Sequence, residues 1–180
     1  MLKRVLLVTA CAAALSGCSL FGGESESGAT GSALSGSDEF LALVKEAREA
    51  AEDGDLPDAG RLLDQARELD PENPGLWVDI ARLRFRGGEH QQALDAAEYA
   101  LELGPEYAPA LLLRAQMVRD AHGLSDALIW FEAAAEADPN NPVILAEYAA
   151  TLGDAGYNAQ MLAVARALAD IDPKNKQVLF

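Results

Sequence analysis

The sequence predicts an all-α fold built as a stack of four helix hairpins, with the start of a fifth. Three observations carry that prediction. Pro71, Pro105, Pro139 and Pro173 stand 34 residues apart without drift. Small residues recur in register with them: Ala47, Ala81, Ala115 and Ala149 lie 24 residues before each proline, and Ala59, Ala93 and Ala127 lie twelve before. Ala66, Ala100 and Ala134 lie five before, while Met161 and Leu168 occupy the last places of those two columns. Finally, half the residues are hydrophobic but only 6% are aromatic. Such a composition suits close-packed helices rather than a β-sandwich, which draws on β-branched and aromatic residues.

The chain opens with an address. Lys3 and Arg4 precede an uncharged, mostly apolar run from Val5 to Leu15. A membrane-spanning helix needs about 20 apolar residues, so the run is too short to remain as an anchor and reads as a signal peptide, residues 1–17. It ends in Leu15-Ser16-Gly17-Cys18, which resembles the bacterial lipobox at all four places. The resemblance implies cleavage before Cys18, a diacylglyceryl thioether on its sulfur and an acylated new N-terminus. The alternative is an ordinary signal peptide followed by an incidental cysteine. Ser19 rather than aspartate follows Cys18, which by the same resemblance points to the periplasmic face of the outer membrane. Cys11 departs with the signal, so the remaining body holds no disulfide and no thiol nucleophile.

Residues 18–38 read as the lipidated cysteine and a tether. Of the twenty residues from Ser19 to Asp38, eleven are glycine or serine, with no helical period. A coil of that composition reaches about 25 Å on average and about 70 Å when stretched.

The repeat region follows, residues 39–175, in units 40–73, 74–107, 108–141 and 142–175. Helices are expected at 39–52 and 57–69, 75–86 and 90–103, 109–120 and 125–137, and 142–154 and 158–170. Large apolar residues stand 28 before each proline (Leu43, Trp77, Leu111, Leu145) and should fill the gap between hairpins. Gly54, Gly88, His122 and Gly156 stand 17 before, where a positive φ would close the turn; at His122 the following Gly123 is available. Pro57, Pro109 and Pro142 fall near helix starts, where a missing N–H costs little. Because Met161 and Leu168 depart from their alanine columns, the fourth hairpin is expected to pack differently. Residues 176–180 begin a fifth repeat or form a tail, with Leu179 in the column of Leu43, and the array is expected to continue.

Length, small-residue columns and prolines together resemble the tetratricopeptide repeat over residues 40 to 175. The resemblance implies a right-handed α-solenoid whose first helices line a concave groove that takes protein or peptide partners. Its groove positions fall on Val44, Val78, Leu112 and Ala146; on Arg48, Arg82, Gln116 and Ala150; and on Ala51, Phe85, Arg119 and Gly153. Arg48, Arg82, Phe85, Gln116 and Arg119 form the candidate docking stripe, suited to an acidic or carboxylate-bearing peptide. Alternatively the arginines pair on their own helices, Arg48 with Glu52 and Arg82 with Asp79. The lysine and asparagine clamp of chaperone-binding relatives is not reproduced at Val44, Arg48 and Asp79.

Charge excludes other partners. The formal charge is −15, and without Lys3 and Arg4 there are 12 bases against 29 acids, a net −17. Such a surface repels nucleic acid and gains nothing from anionic lipid, so the membrane is reached only through Cys18. No catalytic residue, cofactor, metal site or small-molecule substrate is expected. Ser125 reads as a helix N-cap, His90 and His122 as turn residues without a matching ligand set, and Trp77 and Trp130 as packing residues. The expected function is a lipid-anchored envelope scaffold, resembling in plan the pilotins and Tad-type pilus lipoproteins. Two alternatives are the docking part of a larger envelope enzyme and a structural spacer.

Overall fold

The computed structural model describes residues 35–172. The signal peptide, Cys18, Pro173 and the segment 176–180 lie outside them. Among the described residues there are eight α-helices and no strand: α1 (Asp38–Asp53), α2 (Leu56–Leu69), α3 (Pro74–Arg86), α4 (His90–Leu103), α5 (Ala108–His122), α6 (Leu124–Ala137), α7 (Pro142–Asp154) and α8 (Asn158–Ile171). Each bound lies within two residues of its expected place, as the periodic prolines and glycines require.

Consecutive helices pair as hairpins, α1 with α2, α3 with α4, α5 with α6 and α7 with α8. Successive hairpins then stack through α2 on α3, α4 on α5 and α6 on α7. Further contacts join α1 to α3 and α3 to α5, whereas no two second helices meet comparably. The first helices therefore crowd along the inner, concave side of an α-solenoid.

The alanine columns form the closest helix approaches. Ala59, Ala81, Ala93, Ala100, Ala115, Ala127 and Ala134 are fully buried. A larger side chain there would push apart an interior already packed near crystal density. Phe40, Leu76, Phe131 and Ile144 fill the spaces between hairpins. In the fourth hairpin Met161 replaces alanine, and glycine at 153 makes room for it. A Cβ on Gly153 would stand 3.0 Å from the Met161 sulfur.

The turns follow the glycine column. Gly54, Gly88 and Gly156 have φ of 88°, 78° and 84°. In the third hairpin Gly123 takes this role at φ 98°, one residue after the column, because His122 ends α5 in helical geometry.

Two helix starts are held by a device that the 34-residue period does not show. Asn73 accepts the N–H groups of Gly75 and Leu76, and Asn141 those of Val143 and Ile144. Each asparagine also donates to the aspartate three residues back, Asp70 or Asp138. At the third hairpin Tyr107 and Gly104 stand in these two places. A Cβ on Gly104 would lie 3.2 Å from the Tyr107 Cβ, a tight approach. At the N-terminal edge Ser37 caps α1 by accepting from Phe40 N–H, and the Ser35 carbonyl accepts from Asn73 Nδ2 at 2.7 Å.

One expectation is corrected here. Ser125 is not an N-cap: α6 begins at Leu124 with Gly123 in the capping place and no side-chain cap. The positive-φ turn at Gly123 starts the helix one residue earlier than the serine would.

Candidate functional site

Four side chains of the expected stripe sit where first helices meet. Arg48 on α1 reaches across to α3, donating Nε at 2.9 Å and Nη2 at 2.6 Å to one oxygen of Asp79. Its partner is thus not Glu52 on its own helix. Asp79 offers a desolvated carboxylate, only 6% exposed, and a more attractive acceptor than a solvated one. Arg82 stands 3.7 Å from the other Asp79 oxygen, the expected same-helix pairing in a loose form. Two hairpins further on, Gln116 of α5 donates at 2.7 Å to Glu147 of α7, and Arg119 approaches Glu147 at 3.5 Å and the Thr151 hydroxyl at 3.4 Å. Arg119 also lies over the Phe131 ring at 5.4 Å.

The two bridges are equivalent. Arg48 and Gln116 are 68 residues apart, as are Asp79 and Glu147. Between α3 and α5 the corresponding acceptor place holds Leu113, which is buried in the core. Arg82 therefore finds no carboxylate on α5 and keeps nearly half its surface exposed.

Val44, Val78, Leu112 and Ala146, expected to face the groove, are buried instead. They belong to core clusters that also hold side chains of the second helix of their own hairpin. The polar stripe one turn along each helix forms the accessible floor. Arg86 belongs to it and was not singled out from the sequence. It donates from Nη1 to the Ala51 carbonyl at 3.0 Å, across from α3 to the end of α1. Its position four residues after Arg82 was the available signal. Arg48, Arg82 and Arg86 line one small cleft of about 60 Å³ together with Glu52 and Asp79. Three cations thus face two carboxylates in a strongly acidic chain.

Tyr107 completes the surroundings of Asp79. Burial first, and then the negative charge of Asp79, push its phenol above the ordinary value, while Arg48 and Arg82 oppose them. Because the ionised phenolate is disfavoured in the fold, this contribution is intact below about pH 10 and lost as pH rises from there toward the folded-state value. Tyr107→Phe is expected to lose less stability than the parent between pH 9 and about 11. Urea midpoints at the two pH values measure this, and parallel losses in both proteins would refute it.

Phe85 is separated from the arginines. It lies at the end of α3 with its ring 5.1 Å from that of His90, edge to face, and it lines a different cavity at the hairpin edge. His90 and His122 also line that cavity, which brings the two histidines together as their turns suggested. Among the described residues no group of three or more histidine, cysteine, aspartate or glutamate side chains is arranged to hold a metal ion. Trp77 packs edge to face on Tyr99 and donates to the Pro71 carbonyl at 2.7 Å; Trp130 lies beneath the Arg114 guanidinium at 5.0 Å.

Two family models described as tetratricopeptide repeat match residues 50–96 and 78–142. The chain carries tetratricopeptide repeats. Solved structures agree on the fold. YrrB, described as a tetratricopeptide-repeat protein with an unusual peptide-binding site, is 19% identical at a TM-score of 0.57, with 77% of this chain and 71% of that one covered. MamA from Desulfovibrio magneticus RS-1 is 15% identical at 0.59, covering 80% and 81%. The first such domain of Spaghetti, solved with the HSP90 peptide SRMEEVD, is 22% identical at 0.55, covering 66% and 94%. No curated protein matches the chain significantly.

Tetratricopeptide repeats mediate protein–protein contacts, and in this array the first helices supply the concave surface. Of the five stripe residues, Arg48 and Arg82 meet at one carboxylate and Gln116 and Arg119 at another. Phe85 joins neither. No described helix is long and apolar enough to cross a membrane.

Proposed function

We propose that this tetratricopeptide array is a lipid-anchored scaffold of the bacterial envelope that docks an acidic segment of a partner protein in its groove. The observation that carries the reading is the convergence of Arg48, Arg82 and Arg86 on one cleft, where Arg82 lacks a carboxylate across the helix seam. Exposed arginine forks recognise carboxylates in two-pronged fashion, and a local excess of positive charge steers an acidic segment to this end of the groove. Peptide binding by YrrB and by the Spaghetti domain supports the same use of the fold. Leu15-Ser16-Gly17-Cys18 supports attachment through lipid on Cys18, with the periplasmic face of the outer membrane as the site. Pilus or secretion-system assembly is the setting we propose, on the shared plan of signal, lipid, tether and repeats.

The test is crosslinking in intact cells with the full chain and an Arg82→Glu/Arg86→Glu variant. Partner capture is expected to fall roughly tenfold or more when attraction becomes repulsion. In the same cells Cys18→Ser should abolish incorporation of labelled palmitate, since a serine hydroxyl cannot form the thioether. Undiminished capture by the charge-reversed variant would rule out the groove, and palmitate labelling that survives Cys18→Ser would rule out the anchor at Cys18.

A further inference from the structure

A second cavity lies away from the arginine cleft, at the seam between the second and third hairpins. A cavity of about 500 Å³ opens there between the start of α4 and the end of α5. Phe85, Leu94, Met117 and Val118 line it, so its surface is mainly hydrocarbon and thioether. His90 and His122 stand exposed at its edge, and Asp120, the acid lining it, faces the Arg119 Nε at 3.9 Å.

The same seam one repeat earlier shows what is particular about this one. There a cavity of about 670 Å³ is lined by Leu56, Gly60, Leu83 and Arg84, which stand 34 residues before His90, Leu94, Met117 and Val118. Arg84 closes on Glu89 at 2.6 Å, and Arg61 and Asp64 add further charge. The earlier seam is a solvated ion-pair surface. Valine in place of Arg84 and leucine in place of Gly60 turn the later one into an apolar recess.

Arg114 supplies the polar element. It lines the recess, and its guanidinium is held by Glu98 at 2.5 Å and by the Trp130 face. Its Nε–H is buried and has no acceptor, the one such side-chain atom among the described residues.

We propose that this recess takes one large apolar side chain of a partner protein's peptide segment, with the carboxylate of an adjacent acidic residue accepting from Arg114. Charge complementarity selects that occupant. The donors Arg114, His90 and His122 surround the hydrocarbon floor, and the one acid there is already met by Arg119. Soft, unbranched Met117 adapts its shape to an aromatic or long aliphatic side chain. This site stands independently of the arginine cleft.

Methionine-methyl NMR on the full chain tests it, because Met117 lines the recess while Met161 lies in α8. Three blocked dipeptides serve as probes: acetyl-Phe-Glu-amide, acetyl-Phe-Gln-amide and acetyl-Ala-Glu-amide. The first should shift Met117 saturably and leave Met161 unmoved. The second should bind roughly fivefold more weakly through loss of the charge-assisted bond, and the third should not saturate. Val118→Arg, which copies Arg84 of the preceding repeat, should abolish the Met117 shift with the helical circular dichroism unchanged. Should that variant lose helix, Leu94→Glu takes its place with the same expectation. An unmoved Met117, equal response to all three probes, or joint movement of Met117 and Met161 would overturn the proposal.

Discussion

Phe131→Ala is expected to destabilise the protein by about 3–5 kcal/mol, the range for emptying a fully buried aromatic site. The ring is completely buried on α6 and holds three helices together. It stacks on Tyr148 of α7 with centroids 6.4 Å apart and planes within 10°, and it lies beneath Arg119 of α5. Losing it removes burial, the ring pair and the cation's platform at one seam. Each repeat touches only its neighbours, so the damage should stay local. Hydrogen exchange is expected to accelerate in α7 and α8 before α1 to α3. Denaturant unfolding measures the total, and a loss below about 1 kcal/mol would show that the seam collapses to fill the space.

Arg48→Ala is expected to cost about 2 kcal/mol, mostly by leaving the buried Asp79 carboxylate short of its closest donor. Half of the arginine surface is exposed, which keeps the loss below that of a fully interior pair. The informative variant is the double one. Arg48→Met with Asp79→Leu removes both charges, and stability should return to near the parent value. Partner capture should nevertheless remain impaired, because Arg82 then loses the carboxylate that orients it in the cleft. A double variant as unstable as Arg48→Ala would show that the bridge itself stabilises the seam. Urea unfolding of the single and double variants distinguishes the two.

Much of the fold was legible because its signals are local and recur. A proline every 34 residues stops a helix wherever it falls, and alanine in register permits close approach, so the helix bounds followed within two residues. Even the exception at His122 was readable, since Gly123 beside it could adopt the left-handed turn. Ser125 misled because it suits a cap chemically, yet the positive φ of Gly123 had already begun the helix. The groove was less legible. Val44 and Val78 occupy positions that face a partner in the general pattern, but here they join the core clusters of their own hairpins. Arg48 offered two acceptors on paper, Glu52 four residues away and Asp79 thirty-one away. Sequence distance favours the first, and desolvation of Asp79 favours the second.

By itself the sequence determined the number of hairpins in residues 35–172, their bounds, their alanine contacts and the places of their turns. These depend on backbone rules and side-chain size that act within one repeat. Only the tertiary structure decided which charges meet across the seams, that Phe85 parts company with the arginines, and that one seam holds an apolar recess where its neighbour holds ion pairs. Those outcomes depend on side chains from two repeats competing for the same partner under different burial, and no spacing along the chain records burial.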